Sequence, residues 1–102
     1  MAQVFKNYTQ ASIGTSPTTV YTVAGGTTAI VIGLNLANRT ASTITASAQI
    51  GSVYIIKDAP IPSGGALSVL EGKIIAEAAD TIVITSNTAS SIDAIVSVLE
   101  QT

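Results

Sequence analysis

The hydrophobic residues of this chain come in short β-branched runs, and every run is cut before it could become a helix. Residues 18–23 read TTVYTV, residues 28–37 read TAIVIGLNLA and residues 81–86 read TIVITS, with Gly, Pro, Ser, Thr and Asn between the runs. β-branched side chains lose rotamer freedom in a helix and pack well on a pleated surface. Turn signals spaced about 8–12 residues apart mark a sandwich or small barrel. The pattern predicts an all-β chain, an antiparallel β-sandwich of about eight strands, either jelly-roll or Ig-like. At 102 residues there is room for one core.

Residues 1–16 read as an N-terminal arm or first strand, and residues 17–102 as a single sandwich domain. In residues 28–37, period-two spacing places Ile30, Ile32, Leu34 and Leu36 on the core face and Ala29, Val31, Gly33 and Asn35 on the other. Residues 43–50 alternate again. Residues 53–56 form a short apolar strand. Pro60, Pro62 and Gly64-Gly65 make residues 58–65 an extended connection, because proline cannot sit in a central ladder. Glu71-Gly72 looks like a hairpin turn between residues 66–70 and 73–76. Residues 81–86 and 93–100 are the last two strands. Ile82 and Ile84 join the expected core.

What this chain lacks is charge. It is 47% hydrophobic but only 10% charged, and its mean hydropathy is +0.55. Ordinary domains carry about 25% charged residues. A surface so poor in charge implies that part of it is covered by other protein. The four cations, Lys6, Arg39, Lys57 and Lys73, are dispersed, so phosphate neutralisation and hence nucleic-acid binding are not expected. Residues 29–36, the longest apolar stretch, fall short of the roughly 20 residues a membrane helix needs. No secretory leader is legible near the N-terminus, so a soluble intracellular product is expected.

Without histidine or cysteine the commonest bases, nucleophiles and zinc ligands are missing. Asp58, Glu71, Glu77, Asp80, Asp93 and Glu100 fall mostly at strand ends and turns, where carboxylates are solvated. A glycosidase pair or a calcium site would need them gathered. Asp80 is expected to accept hydrogen bonds from turn amides. No enzyme activity, cofactor or metal is expected. Tyr21 and Tyr54 are expected to pack within their strands, whereas Phe5 and Tyr8 in the arm are placed to anchor on a neighbour.

Two stretches carry a family likeness. Residues 21–37 (YTVAGGTTAIVIGLNLA) pair a Gly-Gly turn with a long strand and an Asn-containing loop. Residues 57–86 (KDAPIPSGGALSVLEGKIIAEAADTIVITS) hold a Pro-x-Pro-x-Gly-Gly connection, a Gly-Lys turn and an acidic turn before a strand, and residues 91–102 (SIDAIVSVLEQT) continue the pattern. Together these resemble small structural virion proteins of tailed bacteriophages, of the marine and cyanobacterial type. The likeness covers most of the chain after residue 17. Such proteins often carry Ala-Gly-Asp at the acidic turn, where this chain has Ala78-Ala79-Asp80. If that glycine serves a left-handed conformation, Ala79 must adopt it at a cost.

The resemblance implies a non-enzymatic component of a phage particle, and small stand-alone β-domains of this size are typical of decoration, or cement, proteins. It would be made in the host cytoplasm and assembled on the virion against the major capsid protein or other virion proteins. A tail, neck or baseplate component is the alternative, and a receptor- or carbohydrate-binding module a more distant one. A homo-oligomer is expected, with a trimer favoured. Phe5 and Tyr8 are the candidate clasp on a neighbour, and the loops at Arg39 and Ile61 the candidate shell contacts.

Overall fold

The computed structural model describes residues 3–70 and 72–102. Among them are nine strands and no helix. The strands are β1 (Gln3–Ile13), β2 (Thr18–Thr22), β3 (Thr28–Asn38), β4 (Ile44–Ile50), β5 (Val53–Ile61), β6 (Ala66–Ser68), β7 (Ile74–Ala76), β8 (Thr81–Ser86) and β9 (Ile92–Gln101). They form two antiparallel sheets. Sheet A has the order β1-β9-β3-β6, with β7 also on β3, and sheet B has the order β2-β8-β4-β5.

The connectivity follows from one long ribbon. Its tip is the two-residue turn Gly51-Ser52, which leaves Ile50 opposite Val53. Gly51 has φ +59°, the left-handed backbone that a two-residue hairpin demands and glycine supplies without a Cβ penalty. Away from the tip, β4 pairs with β5, β3 with β6 and β7, β2 with β8, and β1 with β9. Rolling the ribbon up adds the pairs β3–β9 and β4–β8. With β6 and β7 counted as one interrupted strand, this is the eight-strand jelly roll, one of the two sandwich types the sequence left open.

Between the sheets lie Leu34, Leu36, Ile44, Ile82, Ile84, Ile92, Val96 and Val98, all fully buried. Each such side chain contributes about 1.5–3 kcal/mol of transfer free energy. Strands β1, β3 and β9 of sheet A are longer than any strand of sheet B, and the molecule is elongated, 45 × 21 × 21 Å.

Strict alternation along β3 does not hold. Val31 pairs with Val98 and Gly33 with Ser97, so Ile32 is an extra residue in the ladder. Such a bulge shifts the phase of alternation by one. The core face is therefore Ala29 and Val31 before the bulge and Leu34 and Leu36 after it, while Ile32 is 42% exposed and Ile30 only half-buried. Ile30 and Ile32 are thus corrected from core to outer face. Leu34, Leu36, Ile82 and Ile84 are core, as expected.

Three further expectations change. Strand β5 runs on through Pro60, which faces Thr45. It can do so because β5 is an edge strand, where a missing N–H costs no ladder bond. The 66–76 segment is not a hairpin: β6 and β7 both run antiparallel to β3, so they are collinear halves of one edge. Glu71, part of that expected turn, lies outside the described residues. Tyr54 is exposed rather than packed, because it points outward from β5, whereas Tyr21 is buried.

At the acidic turn, Ala79 has φ +73°, the left-handed conformation. Asp80 Oδ2 accepts the amide of Glu77 at 2.9 Å, closing the turn as the sequence suggested.

Candidate interaction surface

Antiparallel register places directly opposed residues on the same face, so the outer face of sheet A can be read row by row. Phe5 faces Leu99, Leu99 faces Ile30, and Ile30 faces Ile75. That is an unbroken apolar row across four strands on the side away from the core. Phe5 is 72% and Ile75 is 63% exposed.

The neighbouring rows contain no charge either. Beyond the apolar row lie Gln3, Gln101 and Thr28. On its other side come Asn7, Ser97 and Gly33, then Thr9, Ile95, Asn35 and Ser68. Exposed Ile32 and Ile95 add to the apolar area. Ser97 Oγ donates to Asn7 Oδ1 at 2.7 Å. Phe5, Asn7, Ile32 and Ser97 rim a shallow depression of about 140 Å³. The outer face of sheet B differs. Its rows read Thr19, Val83, Gln49 and Tyr54, then Thr22 and Thr81, then Thr45 and Pro60.

A second opening lies on the flank where β5 and the β6–β7 edge part. It has about 490 Å³ and is lined by Ile55, Ile56, Leu67, Val69 and Ile74 among others. These walls are mostly apolar, with Ser68 and Lys73 the polar side chains among the described residues that line them.

The four residues singled out from the sequence fall in different places. Phe5 stands at the end of the apolar row. Tyr8 lies on the opposite face of β1 and belongs to a polar seam between the sheets. Its ring stacks on Tyr21 at 4.4 Å between centroids. Tyr21 Oη and Tyr8 Oη donate to the same Glu100 Oε2 at 2.7 and 2.8 Å, with Lys6 Nζ 3.8 Å from Glu100 Oε1. Hydrogen bonds from Tyr21 and then Tyr8, with Lys6 adding a smaller effect, hold the Glu100 carboxyl below its usual range against the opposing effect of burial. Burial, reinforced by the carboxylate, pushes both phenols up. Both tyrosine hydroxyls are therefore committed inside the chain.

Arg39 is also engaged internally. Its Nη1 donates to Ser12 Oγ and lies 3.3 Å from Asp93 Oδ1, while the Ser12 amide donates to the same Asp93 oxygen at 3.0 Å. This pins the irregular end of β1, where Ser12 has φ +58°. Ile61 is 0% exposed. The Ile61 side chain therefore offers no free surface, and in the loop it marks it is Pro62, Ser63 and Gly64 that are exposed. The Ile61 backbone instead helps anchor the loop: Asn38 Nδ2 donates to the carbonyls of Ile61, Pro62 and Ser42, and Asn38 Oδ1 accepts from Thr40.

Ile30, Leu99 and Ile75 were not picked out as surface residues from the sequence. A signal existed for one of them, since adjacent Ile74 and Ile75 on a strand must point to opposite sides. The row itself depends on register, which no local pattern encodes.

No protein-family model matches the chain, and no curated protein matches it. Among the described residues no group of three or more acids gathers as a metal site.

Proposed function

We propose that this chain is a non-enzymatic structural component of a phage virion, most specifically a decoration protein that binds the outside of the capsid shell. The observation that carries the reading is the outer face of sheet A, crossed by the apolar row Phe5, Leu99, Ile30 and Ile75. Asp93, the one outward-facing charge among the described strand residues of that sheet, lies at the far end beside Arg39. Interface centres are depleted in charge and built from apolar groups. An exposed apolar patch on a folded domain marks a place where other protein sits. The jelly roll is compatible with this role, though a fold by itself assigns none. The virion setting rests on the sequence resemblance.

In mechanical terms, each copy laid across the joints of a shell would bury this row against it. Binding energy that exists only in the assembled state stabilises that state by mass action. The test is the stoichiometry and position of the chain in purified particles. Hundreds of copies on the head surface support decoration. A ring of about 6–24 copies, the count set by closed symmetry, would move the protein to a neck or baseplate. Absence from the particle overturns the reading. Specific binding on a glycan array would favour a carbohydrate-binding module instead.

A further inference from the structure

A β-sandwich has four open strand edges, and natural sandwiches protect them. Three edges here are protected. Strand β2 is only five residues long, follows Pro17 and is broken by a register shift between Thr19 and Tyr21. Strand β5 carries Lys57, Pro60, two register shifts and Asp58 at φ +51°. The β6–β7 edge is split into two pieces of three residues each. Short strands, proline, lysine and bulges are the standard means of keeping an edge from pairing with another chain.

Strand β1 is the exception. From Gln3 to Gln10 it pairs with β9 in unbroken register, eight consecutive residues without proline or bulge. All of them except Tyr8 are exposed. Its one charge, Lys6, sits on the side away from Phe5 and leans toward Glu100 of its own chain. The result is a straight, unpaired edge with a free row of N–H and C=O groups.

We infer that this edge pairs with β1 of a second copy, antiparallel about a two-fold axis at Asn7, to join the two A sheets into one. A second copy fits because the edge is self-complementary and each chain has one such edge, so an isologous pair closes and stops. For the two outer faces to be continuous, outward residues must oppose outward residues, so the axis must pass through a residue position rather than between two. An axis at Lys6 sets like charges directly opposite, which is destabilising. Within the regular stretch Gln3–Gln10, an axis at Phe5 or Tyr8 leaves a shorter ladder. The axis at Asn7 uses nearly the whole of that stretch. It places Phe5 against Thr9 and Lys6 against Tyr8 of the second copy. Asn7 Oδ1 already accepts from Ser97, which leaves Nδ2 to donate across the axis. The two apolar rows then lie on one continuous face, which is the face proposed to meet the shell.

A single-strand seam is narrow. It stays below the roughly 1,200 Å² of total buried surface typical of stable complexes, so the association is weak in free solution and strengthens where copies are concentrated.

Sedimentation equilibrium of the whole chain from micromolar to millimolar concentration tests the pairing, with amide hydrogen exchange of β1 measured in parallel. The expected result is a reversible monomer–dimer equilibrium. In it, the β1 amides that point away from β9 gain at least ten-fold protection as concentration rises. N7D and N7K should each weaken self-association at least ten-fold, and a one-to-one mixture of the two should restore it. Rescue on mixing cannot arise from a variant that fails to fold. A chain that stays monomeric with concentration-independent exchange in β1, or a dimer whose protection falls on β5 instead, overturns the inference. No particle enters the experiment, so it and the virion reading can fail separately.

Discussion

The outer faces of the two sheets are made by the same fold from the same charge-poor sequence, yet they differ in kind. Sheet B presents mainly Thr19, Thr22, Thr81, Gln49 and Thr45, with Val83, Tyr54 and Pro60 set singly among them, so its hydroxyls and amides bind water without charge. Sheet A presents Phe5, Leu99, Ile30 and Ile75 in one row, which water can only surround. Scarcity of charge alone therefore does not identify a contact surface. Uncharged polar groups make up most of one face of the sandwich, while the other carries the apolar row on which the proposed function rests.

The comparison breaks first at β3, where the bulge decides which side chains belong to which face. Leu34→Ala should cost about 2–5 kcal/mol, the usual penalty for emptying a buried leucine site. Ile32→Ala, two residues away but outside, should cost less than about 1 kcal/mol. Urea denaturation of both variants checks this, and similar losses would mean that Ile32 lies inside after all.

Binding sharpens the contrast between the faces next. Ile75→Glu puts a charge in the apolar row and should weaken binding to shells at least ten-fold, about 1.4 kcal/mol, with the melting temperature nearly unchanged. Thr19→Glu, the matching change on sheet B, should leave binding within two-fold. Co-sedimentation with undecorated shells reads both, and equal losses would remove the reason for preferring sheet A.

The seam that joins the sheets titrates. Glu100 has a lower pKa folded than unfolded, so its ionised form favours the fold. That contribution is present above the unfolded value of about 4.3 and is lost as pH falls through the folded value. The two phenols are raised, so their contribution holds below about 10 and is lost as pH climbs beyond it. Thermal melts across pH should show a plateau between these limits. Glu100→Gln, which keeps the shape and removes the charge, should flatten the acid edge. An unchanged acid edge would mean that other carboxylates set it.

The smallest effect belongs to the turn before β8. Ala79 holds φ +73°, and an L-residue pays roughly 1–2 kcal/mol for that conformation. Glycine relieves the strain but gives back part of it as unfolded-chain entropy. Ala79→Gly should therefore stabilise by about 0.5–1 kcal/mol, raising the urea midpoint without changing the slope.

The architecture could be read from the sequence because it depends on local signals: β-branched runs, glycine at Gly51, an aspartate at the turn. The side assignment of Ile30 and Ile32 could not, because a bulge inserts one residue and reverses the parity on which the reading depends. Pro60 misled for a related reason: proline excludes a strand from the middle of a sheet, and only topology reveals that β5 is at an edge. Phe5 was legible as a contact candidate because an aromatic in a polar strand has little to pack against. Ile61 reads as a loop residue in the sequence, but it ends a β5 that extends further than expected, and its side chain lies in the core.

The ribbon also sets the order in which the chain can be completed. Pairs near the Gly51-Ser52 tip join neighbours in sequence, while β1 and β9 come together across nearly the whole chain. Closing such distant pairs is slow, because loop entropy is spent before contacts return it. During synthesis, which adds roughly 5–20 residues per second, β1 leaves the ribosome first yet has no partner until β9 follows. The strand with the least protected edge is thus also the one that waits longest, and crowding of nascent chains is the moment at which it is most open to the wrong neighbour.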